Sequence, residues 1–183
     1  MATIGIKPTS TVSQTGWTAD PYPNAADDNP STSVAQNNVT CNWTAVLGDL
    51  DSGLSGATIN SFTISVNGTP GRAGACEAEM SLIHSSDGEF AAEVEDWTSG
   101  NETKTTSART TQQDGSSALT FAYINNCSVK INPNTQGITL HELYVTVDYT
   151  PAGYGNAVNG VASANIGKIN GVATANISKV NGM

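Results

Sequence analysis

Two histidines and three cysteines are all that this 183-residue chain offers toward metal or thiol chemistry. His84 and His141 lie in no zinc-type spacing with each other or with a cysteine, and Cys41, Cys76 and Cys127 form no C-x-x-C pair. A cysteine–histidine metal site is therefore not expected. Each cysteine sits in a strand-like run, where a free thiol acts as a small apolar side chain. Reduced, buried cysteines are the expectation, with one structural disulfide as the alternative. The G-x-S-x-G elbow of many hydrolases is also missing, since Gly53-Leu54-Ser55-Gly56 falls one residue short of it. The chain offers no catalytic residue, calls for no cofactor, and is not expected to be an enzyme.

Positive charge is equally scarce. Seven Lys and Arg stand against sixteen Asp and Glu, for a formal charge of −9. A phosphate backbone needs a concentrated cationic surface, so DNA and RNA are excluded as expected partners. No run of about 18 apolar residues is present to form a membrane helix. The N-terminus, Met1-Ala2-Thr3-Ile4-Gly5-Ile6-Lys7-Pro8, lacks the apolar stretch of about 7–15 residues that a signal peptide requires. Synthesis and folding in a cytosol are expected.

Charged residues make up only 13% of the chain and apolar ones 38%, with Thr, Ser, Asn and Gly filling the difference. That composition suits many short strands joined by turns. Alternation starts near position 38, in Val39-Thr40-Cys41-Asn42-Trp43-Thr44-Ala45-Val46-Leu47, and returns at Ile59, Phe62, Ile64 and Val66. The turn-like Asn67-Gly68-Thr69-Pro70-Gly71 is expected to end that second strand. Further strands fit 75–83, 89–97, 117–124, 128–131 and 139–149, the last being the clearest. A polar stretch, 99–111, reads as a long exposed loop. The expected fold is all-β, a two-sheet antiparallel sandwich of jelly-roll type over 38–150.

Two appendages flank that domain. Pro8, Pro21, Pro23 and Pro30 leave no room for a useful helix in residues 1–37, which read as an extended arm pinned by Trp17 and Tyr22. Beyond Pro151 an eleven-residue unit runs almost twice, Asn159-Gly160-Val161-Ala162-Ser163-Ala164-Asn165-Ile166-Gly167-Lys168-Ile169 and then Asn170-Gly171-Val172-Ala173-Thr174-Ala175-Asn176-Ile177-Ser178-Lys179-Val180. A third copy opens as Asn181-Gly182. Glycine and β-branched residues disfavour a helix there, whereas Asn-Gly is the preferred centre of a type I′ hairpin. Each Asn-Gly is expected at a reversal between short segments such as 166–169 and 172–175. Two units bury too little surface to stand alone, so the tail must find a partner. Its expected anchors are Val161, Ile166, Ile169, Val172, Ile177 and Val180, with Asn159, Gly160, Asn170, Gly171, Asn181 and Gly182 setting the turns. A flexible tether is the alternative.

The tail resembles the "NGVA…ANI.K.NG" ends of virion structural proteins of tailed bacteriophages. The strand Leu143-Tyr144-Val145-Thr146-Val147-Asp148-Tyr149-Thr150 before it is similar to β-sandwich modules of phage tail and capsid-associated proteins. The resemblance implies a multi-copy structural or adhesive component of a virion, partnered by copies of itself and by other virion proteins. It transfers no catalytic residue.

Two other surfaces merit weighing. Glu77 with Glu79, and Glu93 with Glu95 beside Asp96, project in pairs and could ligate a hard cation, as could Asp49, Asp51 and Ser52, but a solvated acidic face is the simpler reading and no metal ligand is assigned. Among the aromatic residues, Trp43 reads as core. Trp97, at the edge of the polar loop, is the candidate for stacking on a sugar, which makes carbohydrate or host recognition the alternative function, with the tail as tether.

Overall fold

A computed structural model describes residues 1–36, 41–71, 76–133 and 137–152, together with the backbone of 168–169 and 172–173. Two antiparallel sheets face each other across one core. The first contains β1 (Ala2–Ile6), β11 (Ile138–Thr150), β5 (Thr58–Pro70) and β9 (Glu102–Thr105) in that order, and β3 (Val34–Ala35) pairs with β11 beyond the end of β1. The second runs β2 (Pro8–Thr15), β4 (Asn42–Leu47), β10 (Cys127–Pro133), β6 (Cys76–His84), with β7 (Gly88–Glu89) and β8 (Glu93–Trp97) sharing the far side of β6. The chain is thus an all-β antiparallel sandwich.

Alternation puts the apolar side chains between the sheets. Trp43, Ala45 and Leu47 of β4 meet Val129 and Ile131 of β10 and Ala78, Met80 and Leu82 of β6, opposite Phe62, Ile64 and Val66 of β5 and Leu143, Val145 and Val147 of β11. The long β5–β11 ladder carries a bulge between Leu140 and Glu142. Cys41, Cys76 and Cys127 are buried and form no disulfide. Burial pushes the Cys127 thiol up to about 12 and also raises that of Cys76.

The fold corrects several expectations. Residues 2–15 are not an arm outside the domain. They supply an edge strand to each sheet, crossing between them at Lys7, and Trp17 is buried with its indole N–H donating to the Asn42 carbonyl at 3.0 Å. A five-residue helix, α1 (Pro21–Ala25), begins at a proline because the Asp20 carboxylate caps it through the Tyr22 N–H. Strand β5 runs through the expected turn at 67–71. Gly68 is needed there for close approach, since a Cβ would lie 2.7 Å from Ile138 Cδ1. Part of the expected loop at 99–111 is strand β9, and the strand expected at 117–124 includes a helix, α2 (Phe121–Asn125), capped by Thr120. Pairing with 65–68 explains β9 despite its lack of apolar residues, and side chains reinforce it: the Ser65 and Thr105 hydroxyls bond at 2.8 Å and Asn67 Nδ2 donates to Thr103 Oγ1 at 3.0 Å.

In the tail, β12 (Lys168–Ile169) pairs antiparallel with β13 (Val172–Ala173), Lys168 opposite Ala173 and Ile169 opposite Val172. The ladder is a two-stranded sheet of its own.

A candidate groove along the first strand

The crossing of the chain between sheets creates a groove of about 500 Å³. Ile4, Gly5 and Ile6 of β1 and Lys7, Pro8 and Thr9 form one wall, and Gly48, Asp49 and Asp51 form the other. The second wall is firmly held. The Gly48 N–H donates to the Lys7 carbonyl at 2.8 Å, and the Leu50 side chain is buried while its N–H donates to Asn125 Oδ1 at 2.9 Å. Asp51 then caps a single 3-10 turn, accepting from the Gly53 N–H at 2.7 Å. Asp49, between these anchors, is exposed and pairs with no described residue.

The charge of the groove is one-sided. Lys7 pairs with Asp28 and lies 4.0 Å from Glu142, so its ammonium is already occupied. Asp49 and Asp51 remain as the carboxylates of the groove, with the half-buried Ile4 as its most accessible aliphatic side chain. The site suits an occupant with cationic or hydroxyl donors and an extended apolar stem. Sequence reading flagged Asp49 and Asp51 only as possible cation ligands. Nothing local in the sequence marks the groove, because its two walls are brought together by the pairing of β2 with β4.

The expected stacking residue is corrected. Trp97 is 0% exposed, lies opposite Cys76 in the β6–β8 ladder, and donates its indole N–H to the Glu102 carbonyl at 3.1 Å. It sits at the edge of a polar loop only in sequence, for that loop folds back over its ring. Trp17 and Trp43 are buried as well, so no tryptophan presents a face to a sugar.

The histidines are committed to structure. His84 stacks on Tyr123 at 3.9 Å with its Nδ1 facing the N–H groups of Ser86 and Asp87. His141 bridges Thr69 Oγ1 at 2.6 Å and the Thr32 carbonyl at 3.2 Å, fastening the segment before β3 to β5. The acidic pairs split between faces. Glu77 lies opposite Asp96 in the ladder, while Glu93 holds Arg109 at 2.9 Å and accepts from the Ser107 N–H at 2.7 Å. Among the described residues no group of three or more His, Cys, Asp or Glu is placed to hold a metal ion. Of the expected tail residues, Ile169 and Val172 are paired across the short ladder. Asn159, Gly160, Val161, Ile166, Asn170, Gly171, Ile177, Val180, Asn181 and Gly182 lie outside the described residues.

No family model matches the chain, and no curated protein matches it. Three solved structures are similar in chain path. One is the family 32 carbohydrate-binding module of NanJ from C. perfringens in complex with galactose, at TM-score 0.47 and 18% identity, covering 79% of this chain and 93% of that one. Another is the C-terminal family 6 module of the laminarinase LamC from Zobellia galactanivorans, at 0.44 and 10%, covering 80% and 98%. A truncated AlyQ with family 32 and alginate lyase domains matches at 0.44 and 15%, covering 85% of this chain and 36% of that one. At TM-scores below 0.5 none of them tells what this chain binds.

Proposed function

We propose that the chain is a non-catalytic structural subunit of a multi-copy assembly, joined to its neighbours through its C-terminal repeats. The observation that carries this reading is the β12–β13 ladder, which pairs Lys168 and Ile169 with Ala173 and Val172 and belongs to neither sheet of the sandwich. Two-residue strands bury too little surface to persist alone in water, so such a hairpin gains stability from a further strand. The resemblance of the repeats to the ends of phage virion proteins agrees with this reading and makes a virion the proposed setting.

A second reading is carbohydrate recognition by the sandwich, with the tail as tether. The groove favours it: carboxylates at Asp49 and Asp51 accept hydroxyl donors, and the half-buried Ile4 beside them can meet a sugar C–H face.

Light scattering after size exclusion separates the two, applied to the full chain and to a version ending at Pro151. Among the described residues the buried core lies between Ile6 and Val147, and the shorter chain retains all of it. Assembly predicts a discrete oligomer or filament that becomes a monomer on truncation. Equal masses would refute it, and a glycan that binds both forms equally would establish the second reading in its place.

A further inference from the structure

We propose that the free edge of β1 receives the repeat tail of a second copy of this chain, added as a strand with one of its lysines near Asp49 and Asp51. The inference rests on the assembly reading and names the surface that the tail engages.

Three independent observations converge on it. First, β1 is an edge strand: among the described strands it pairs only with β11, in an unbroken register from Ala2–Tyr149 to Ile6–Val145. Its other side offers backbone N–H and C=O groups, and its sequence, Ala-Thr-Ile-Gly-Ile, carries no charge or proline of the kind that blunts an edge. Second, the groove lined by Ile4, Gly5 and Ile6 brings Asp49 and Asp51 next to this strand. Gly5 is exposed and a Cβ there would meet nothing within 4 Å, so a side chain can be placed on this strand without disturbing its neighbours. Third, the charges are complementary. All sixteen acidic residues precede Pro151, while the stretch after it carries Lys168 and Lys179 and no acid. Each lysine follows a Gly or Ser and precedes a β-branched residue, as Gly167-Lys168-Ile169 and Ser178-Lys179-Val180.

Strand addition supplies main-chain hydrogen bonds for affinity and side-chain pockets for register. A tail that returned to its own β1 would use the same chemistry but would join nothing, so own-chain closure is the rival occupant.

The test uses the full chain and four variants, with the mass read by light scattering over a range of concentrations. Gly5→Lys puts a charge on the edge strand at a position where a Cβ meets nothing. Asp49→Lys reverses the rim and leaves the Asp51 cap in place. Lys168→Glu with Lys179→Glu reverses the tail, and the fourth variant combines these with Asp49→Lys. The expected result is an oligomer for the parent, its loss in the first three, and its recovery in the combined variant. A parent oligomer that is lost on truncation at Pro151 but survives Gly5→Lys and Asp49→Lys would overturn the inference and leave tail-driven assembly standing. A parent that stays monomeric at every concentration would overturn both, and protection of β1 in that monomer would assign the groove to its own tail.

Discussion

At one edge of the first sheet, β9 presents Glu102 and Lys104 in an ion pair of 2.8 Å. At the opposite edge, β1 presents Ala, Thr, Ile, Gly and Ile. The two strands are of similar length and each pairs with one neighbour, yet only β9 carries the charges that discourage pairing with another chain. β9 is further tied down by Thr106, which exchanges hydrogen bonds with the Ile64 backbone, and by the Trp97 indole on Glu102. The difference teaches that the sandwich closes one side and, among the described residues, leaves the other open, at the strand that lines the groove.

The comparison can be broken most severely from the β9 side. Trp97→Ala removes a fully buried ring together with the bond that fastens Glu102. It should cost about 3–5 kcal/mol, read by denaturant unfolding of the chain ending at Pro151. A loss near that of a surface substitution would mean that β9 does not depend on Trp97. Next in size is a swap of character: Glu102→Thr with Lys104→Ile gives β9 the composition of β1. The doubly substituted full chain should associate further than the parent full chain, as measured by sedimentation, because tails then have a second edge to join. If the two matched, edge charge would not be what distinguishes the two strands.

These features were only partly legible in the sequence. β11 was visible because Leu143, Val145 and Val147 alternate without interruption and all point into the core. β9 was not, because Glu102, Thr103, Lys104 and Thr105 have no apolar member and are strand only through their pairing with 65–68. β1 and β2 were hidden for a related reason: an edge strand buries little, and Pro8 reads as a breaker although it stands at the first position of β2, where its missing N–H is tolerated. α2 looked like a strand because Leu119, Phe121 and Tyr123 alternate. Thr120 overrides that pattern by accepting the Tyr123 N–H at 3.1 Å. The groove has no local signature, since its walls are some forty residues apart in sequence.

Two smaller effects sharpen the picture. Thr120→Ala removes the cap of α2 and should lower stability by about 1 kcal/mol, visible as a fall in Tm without loss of the sandwich. Glu102 responds to acid: its hydrogen bond to Lys104, assisted by Ser99, holds its carboxyl at about 2 against an ordinary 4.5. A depressed value in the folded state stabilises the fold above pH 4.5, and that contribution is lost as pH falls toward 2. NMR titration of Glu102 should give a midpoint near the lower value, and a midpoint near 4.5 would mean that the edge ion pair is not formed in solution.

The central claim, that copies are joined by tails at β1, is tested most directly by amide hydrogen exchange over Ala2–Ile6. The full chain at assembling concentration should protect these amides more strongly than the chain ending at Pro151, while protection over Glu102–Thr105 stays the same in both. Equal exchange in β1 with and without the tail would contradict the account.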